Sequence, residues 1–220
     1  MDQDIIHVYF MPGMAASPKI FEYIKLPEDS FKIHYLNWIM PESNEPLENY
    51  AKRMCQQVEH ENIVLLGVSF GGIVVQEMSK ILSVRKLLVV SSVVSKHQLP
   101  KRMKFARVTK AYKIMPTQLL SNAELLSKYA YGEFFKKRID LYRKYLAFNN
   151  KEYLDWSIEQ VVNWSQEIPP EGVIQIHGEK DGVFTNSCNG SCIVVKGGTH
   201  IMIINKFKWF NENLPKLLLN

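Results

Sequence analysis

The chain has 220 residues, with 46% hydrophobic and 22% charged side chains and a net charge of +5, values ordinary for one folded domain with a full core. The sequence shows neither 18 consecutive apolar residues nor a basic, apolar leader, so we expect no membrane-spanning helix and no signal peptide. Three irregularly spaced cysteines exclude a disulfide framework, so we expect Cys188 and Cys192 to be free thiols near a turn in a reducing, cytoplasmic environment.

Strand-like and helix-like segments alternate along most of the chain. Short apolar runs predict buried strands, in chain order, at residues 5–10, 31–38, 63–69, 87–90, 173–177 and 193–195. Helical spacing or composition predicts helices at 48–58, at 73–82 and at 205–219, where Pro215 interrupts the pattern. Strands that alternate with helices predict an α/β fold with a mostly parallel central sheet flanked by helices.

Residues 100–164 break this alternation. They contain no strand-like run and predict short amphipathic helices, for example at 134–148. We therefore divide the chain into a core of residues 1–99 and 165–220 and a helical cap insertion of residues 100–164. The stretch 96–144 carries 13 basic and three acidic residues, which indicates either an anionic partner or a solvated helical face.

Residues 67–71 read Gly-Val-Ser-Phe-Gly and match G-x-S-x-G at the junction of a predicted strand and a helix. A serine on such a sharp turn points its hydroxyl out at the carboxyl edge of the sheet. Small residues are needed at Gly67 and Gly71 because the turn packs tightly against its neighbours. The helix that follows directs its N-terminal N–H groups toward the site, which favours developing negative charge. These features predict that Ser69 is a nucleophile.

A serine nucleophile needs a base, and the base needs an acceptor for its second ring nitrogen. His200 follows the last predicted strand through a glycine-bearing loop, whereas His7 and His177 lie within strands and are predicted to be buried structural residues. Asp181 follows the strand at 173–177, and Glu179 is the nearest competitor for the acid. The strand ends of a parallel sheet share one edge, so we predict that His200 and Asp181 meet Ser69 there.

An oxyanion hole requires two convergent backbone N–H groups. One is expected from Phe70, the residue after the nucleophile, and the other from the loop after the first strand, where we favour Met14. Pro12 has no N–H and is excluded, while Gly13 permits a close approach of the backbone to the site.

On these motifs the chain resembles the α/β-hydrolase superfamily, in its small cytoplasmic branch with a helical cap. Residues 10–13, 67–72, 177–181 and 198–200 match the oxyanion loop, the nucleophile turn, the acid loop and the base. Pro-Gly stands where the family usually has His-Gly, and Val68 replaces a common histidine, which blurs the subfamily. The resemblance also implies that the family's first two antiparallel strands are missing.

We therefore expect a serine hydrolase that cleaves a carboxylic ester or thioester without a metal or other cofactor. Acyl transfer by the same three residues and a non-catalytic binding role remain open, whereas no nucleic-acid motif accompanies the basic segment. The basic charge makes a CoA or carrier-protein thioester a candidate substrate. Apolar cap residues are predicted to line an acyl pocket or simply to pack together: Tyr112, Met115, Leu119, Leu120, Tyr129, Tyr131, Phe134 and Phe135.

Overall fold

The structure is a computed structural model that describes residues 5–114, 117, 144–185, 188 and 192–219. Its strands are β1 (Ile6–Met11), β2 (Phe31–Tyr35), β3 (Ile63–Val68), β4 (Lys86–Val90), β5 (Ile174–Gly178) and β6 (Ile193–Val195). Its α-helices are α1 (Leu47–Met54), α2 (Phe70–Met78), α3 (Lys101–Thr109), α4 (Lys151–Asn163), α5 (Met202–Asn205) and α6 (Phe207–Leu219). Short 3-10 helices lie at Pro18–Phe21, Cys55–Gln57, Lys96–Gln98 and Ala111–Ile114.

The strands form one sheet in the order β2-β1-β3-β4-β5-β6, and every neighbouring pair is parallel. The predicted α/β fold class with a parallel sheet flanked by helices is therefore confirmed. The chain runs from β1 to β2 on one side of β1 and then crosses to β3 on the other side, so the direction of winding reverses at β1. Ligands of open parallel sheets bind outside the carboxyl ends of the strands at such a reversal.

The core has one layer on each face of the sheet because successive strand side chains point to opposite faces. In β3, Leu65 packs with helices α1 and α2, while Leu66 faces the layer that contains α6. Helix α6 buries Phe210, Leu214 and Leu218 at intervals of four residues. The prediction that Pro215 interrupts this helix is wrong, because the helix continues to Leu219 with buried anchors on both sides of the proline.

Residues 100–164 lie between β4 and β5 in the chain, and their described part comprises α3, the 3-10 helix Ala111–Ile114, an isolated bridge from Leu146 to Ala16, and α4. Helix α4 carries Tyr153 and Trp156 into the core layer that contains α1 and α2, so this end of the insertion packs against the sheet domain. The helix predicted at 134–148 lies mostly outside the described residues. No described helix combines the length and the apolar character that crossing a bilayer requires.

Candidate active site

Ser69 occupies the sharp turn between β3 and α2. Its backbone angles are φ 54° and ψ −121°, in a region that residues with a Cβ rarely adopt. Such strain costs on the order of 1–3 kcal/mol and persists only where surrounding contacts hold it. Here the Ser69 N–H donates to the carbonyl of Val90 at 2.9 Å, and the Ser69 carbonyl accepts from Gly72 N–H at 2.9 Å. The strained turn is thus fixed at both of its backbone polar groups.

The glycines of the turn are required by close backbone packing. A Cβ on Gly67 would lie 2.3 Å from the carbonyl oxygen of Gly71, and one on Gly71 would lie 2.3 Å from the carbonyl oxygen of Pro12. Both distances are far inside van der Waals contact. The second contact also shows that the loop after β1 lies directly against the start of α2.

Three side chains from three loops form one hydrogen-bonded line. The Nε2 atom of His200 lies 2.9 Å from Ser69 Oγ, and its Nδ1 lies 2.9 Å from Oδ2 of Asp181. His200 follows β6 and Asp181 follows β5, so both reach Ser69 across the carboxyl edge of the sheet. The Asp181 side chain is 1% exposed and that of His200 is 23% exposed. The line therefore runs from a buried carboxylate to a hydroxyl at the surface of the core.

Asp181 is held as a carboxylate by its neighbours. Burial by itself raises the pKa of the Asp181 carboxyl, but the hydrogen bond and charge of His200 and the N–H groups of Phe184 and Val183 lower it to below its ordinary value. Oδ1 accepts from Val183 N–H at 2.7 Å and from Phe184 N–H at 3.1 Å. These bonds fix the orientation of the carboxylate toward His200.

His177 lies beside this carboxylate and is buried, as predicted. Its Nε2 is 3.0 Å from the carbonyl oxygen of Phe184 and 3.6 Å from Oδ2 of Asp181. Burial lowers the pKa of His177 despite the opposing effects of Asp181 and the Phe184 carbonyl. Glu179, the competing acid, is exposed and accepts a hydrogen bond from Gly197 N–H at 2.7 Å instead.

The loop after β1 places backbone N–H groups next to Ser69. A Cβ on Gly13 would lie 3.5 Å from Ser69 Cβ. Within the described part of the chain, the backbone N–H groups of Met14 and Phe70 donate no hydrogen bond. Met14 in the loop after β1 and Phe70 at the first position of α2 are therefore candidate donors to an oxygen atom at this site.

Trp38 supports this loop, and the sequence did not identify it. Its indole N–H donates to the carbonyl of Gly13 at 3.0 Å, and its ring stacks on Phe70 with centroids 5.3 Å apart. The buried Trp38 side chain therefore contacts both Gly13, which precedes Met14, and Phe70. No motif in the sequence marks Trp38, because its contacts with Gly13 and Phe70 join segments that are far apart along the chain.

Arg102 at the start of α3 is a second residue that sequence reasoning missed. Its guanidinium donates to the carbonyl oxygens of Gly182 and Val183, at 2.9 and 2.6 Å, beside Asp181.

Among the predicted pocket residues, only Tyr112 is described. Tyr112 is buried, and its hydroxyl donates to Glu159 at 3.1 Å. The others, Met115, Leu119, Leu120, Tyr129, Tyr131, Phe134 and Phe135, lie outside the described residues.

The loop between Asp181 and β6 contains a disulfide. Cys188 and Cys192 are bonded, with Cα atoms 5.5 Å apart, so the prediction that both are free thiols is wrong. The Cα separation lies within the usual range for a disulfide. Cys55 is free.

No protein-family model and no curated protein matches the chain. Solved structures do match. A hydrolase from Pseudomonas aeruginosa PA01 has a TM-score of 0.68 at 15% identity, over 98% of this chain and 90% of the other. A carboxylesterase from Nitrososphaera gargenis has a TM-score of 0.64 at 16% identity, over 98% of this chain and 90% of the other. A bromoperoxidase from Bacillus anthracis has a TM-score of 0.62 at 18% identity, over 99% of this chain and 93% of the other. At these identities the similarity shows the fold alone.

Proposed function

We propose that this chain, which has the α/β-hydrolase fold, is a serine hydrolase that cleaves a carboxylic ester or thioester through an acyl-enzyme. The observation that carries the proposal is the Ser69–His200–Asp181 line, with two hydrogen bonds of 2.9 Å. The structural similarity to a carboxylesterase is consistent with this reaction class.

In the first half-reaction, Ser69 Oγ attacks the substrate carbonyl carbon while its proton passes to His200 Nε2. Asp181 holds the other ring nitrogen, so the neutral ring presents Nε2 as the acceptor and the imidazolium is stabilised once it forms. The carbonyl oxygen becomes an oxyanion, which the N–H groups of Met14 and Phe70 would bind. Loss of one such donor typically costs roughly 3 kcal/mol of transition-state stabilisation.

The tetrahedral adduct then collapses. The bond between the carbonyl carbon and the leaving oxygen or sulfur breaks, and His200 returns the proton to the leaving group. In the second half-reaction His200 takes a proton from water, the hydroxide attacks the acyl carbon, and Ser69 Oγ leaves with the proton from His200. The acid is released and the three residues return to their starting states, so neither a metal nor another cofactor is required.

The basic helix α3 supports a substrate with an anionic leaving group, such as a CoA or carrier-protein thioester. Arg102 of this helix contacts the loop that holds Asp181, which brings the positive charge close to the site. We retain residues 100–164 as a cap over the site in this proposal.

A cytoplasmic location stays a prediction. The Cys188–Cys192 disulfide argues against it, because such bonds are rare in reducing compartments.

The test combines covalent labelling with substitution of the nucleophile. A fluorophosphonate probe should add to Ser69, as located by mass spectrometry, and Ser69→Ala should abolish labelling. The same variant should hydrolyse p-nitrophenyl acetate several powers of ten more slowly with unchanged circular dichroism, because the covalent route is lost. Labelling elsewhere, or full activity in Ser69→Ala, would overturn the proposal.

A further inference from the structure

A second cluster of functional side chains lies at the opposite end of the sheet from Ser69. His7 is on β1, His34 is on β2 and His60 is in the loop before β3. Residue His7 pairs in register with Ile63, six residues before Ser69 along β3, which corresponds to roughly 20 Å of strand. The cluster is therefore separate from the candidate active site.

The three imidazoles converge closely. One ring nitrogen can be chosen from each histidine so that all three atoms lie within 4.8 Å of one another. His7 Nδ1 is 2.9 Å from His34 Nε2, and the rings of His7 and His60 stack with centroids 3.9 Å apart. All three residues are partly buried, so their rings are accessible from solvent. The prediction that His7 is a buried structural residue is therefore wrong, because His7 is only partly buried and its ring belongs to this cluster.

Tyr9 fixes one ring in an orientation suited to metal binding. The Tyr9 hydroxyl is 2.6 Å from Nδ1 of His60 and accepts a hydrogen bond from Glu59 N–H at 3.0 Å. Tyr9 itself is 2% exposed, so the hydroxyl is held in place. A hydrogen bond at Nδ1 leaves Nε2 of His60 as the atom that can bind an ion, the arrangement that metal-ligating histidines usually have.

Charges of both signs lie beside the cluster. The Lys32 ammonium is near His7 and His34 and opposes a bound cation, whereas the Glu59 carboxylate is near His34 and would offset part of the charge of a bound ion. Neutral imidazole is the form that binds metal ions.

From this geometry we infer that His7, His34 and His60 form a binding site for one divalent transition-metal ion of the zinc class. Imidazole is a preferred ligand of Zn²⁺, Cu²⁺ and Ni²⁺, and three histidines with an open fourth position form a known class of zinc site. The Nδ1–Nε2 hydrogen bond between His7 and His34 would be replaced by two bonds to the ion, and each ring would carry its N–H on the outward nitrogen.

Binding requires only a small rearrangement. With Zn–N bonds of about 2.0–2.1 Å, tetrahedral ligand nitrogens are about 3.3 Å apart, so the most distant pair must approach by at most roughly 1.5 Å. The stack of His7 on His60 opens if the backbone around His60, which lies in a loop outside the regular elements, shifts while Nδ1 keeps its hydrogen bond to Tyr9. The bound ion would join β1, β2 and the segment that leads into β3.

The test is a titration of the untagged full chain with Zn²⁺ alone, followed by competition with a chromophoric chelator. One equivalent should bind. His34→Phe and His60→Phe keep an aromatic ring in the cluster and remove only nitrogen ligands, and each should weaken binding at least tenfold. Tyr9→Phe should weaken it by roughly 10-fold through loss of the orienting hydroxyl. His97→Phe, a change of the same kind at a histidine paired with Glu167 on another segment, should leave binding unchanged.

Thermal unfolding gives a second readout. At about a hundredfold excess of Zn²⁺ over the dissociation constant, the wild-type midpoint should rise by roughly 5–10 °C and that of His34→Phe should not. Two outcomes would overturn the inference: no binding to folded wild type, or binding that His34→Phe and His60→Phe leave intact. Binding that is instead lost in Asp181→Asn would place the ion at the active site and would equally refute it.

Discussion

At the scale of single residues, Asp181 is the most constrained polar side chain of the site. Its carboxylate accepts from two backbone N–H groups and from His200, and its side chain is 1% exposed. We expect Asp181→Asn to lower kcat by roughly 10³–10⁴-fold, because an amide no longer selects the tautomer that presents Nε2 to Ser69. Steady-state hydrolysis of p-nitrophenyl acetate measures this. Glu179→Gln is the matched control, and an equal loss in that variant would mean that the acid is misassigned.

His177 makes the stability of the fold depend on pH. Its pKa is lowered in the folded state from an ordinary value of 6.5, chiefly by burial, so the unfolded chain binds a proton more readily. The contribution is complete above pH 6.5 and is lost as the pH falls toward the folded-state pKa. We expect the free energy of unfolding to decline between pH 7 and pH 5, and His177→Gln to make this decline smaller. Urea denaturation at both pH values measures it, and an unchanged decline in the variant would contradict the assignment.

At the scale of elements, the β3–α2 turn and the loop after β1 constrain each other. Gly71 has no room for a Cβ because the Pro12 carbonyl would be 2.3 Å away, whereas a Cβ on Gly182 would meet nothing within 4 Å. We expect Gly71→Ala to destabilise the protein by about 2–3 kcal/mol, since backbone rather than a flexible side chain must move. Gly182→Ala is the matched control and should change stability by less than about 0.5 kcal/mol. Urea denaturation midpoints of the two variants test the difference.

The same turn explains why the nucleophile precedes a helix without a linker. The sequence predicted a helix from residue 73, but α2 begins at Phe70, immediately after Ser69. The missing turn of helix was not visible in the pattern because two glycines weaken the helical signal. Their presence is required by packing against the neighbouring loop, which only the folded chain displays.

At the scale of the whole molecule, the basic helix α3 contacts the acid loop through Arg102. If the substrate is a CoA thioester, we expect kcat/KM to fall roughly three- to tenfold as NaCl rises from about 50 to 500 mM, because salt screens the attraction. Hydrolysis of p-nitrophenyl acetate, which is neutral, should not respond. Replacing the exposed Lys101 and Arg107 of α3 with Gln should reduce the salt dependence. A salt-insensitive rate on the thioester would count against an anionic substrate.

The sequence by itself determined the order of the strands along the chain, the position of the G-x-S-x-G turn and the identity of Ser69, Asp181 and His200 as candidates. These features are local: apolar runs, glycine spacing and the loop that follows each strand can be read without knowing the partners. The glycines at the turn and the histidine after β6 could therefore be identified from the local sequence alone.

Only the tertiary structure decided which side chains meet. Trp38 under Gly13, Arg102 on the acid loop and the cluster of His7, His34 and His60 all join segments whose patterns are independent of one another. Pro215 was misjudged for the same reason, since buried contacts of α6 outweigh the local preference against proline. Contacts between distant segments depend on strand register and loop path, and no single stretch of sequence encodes either.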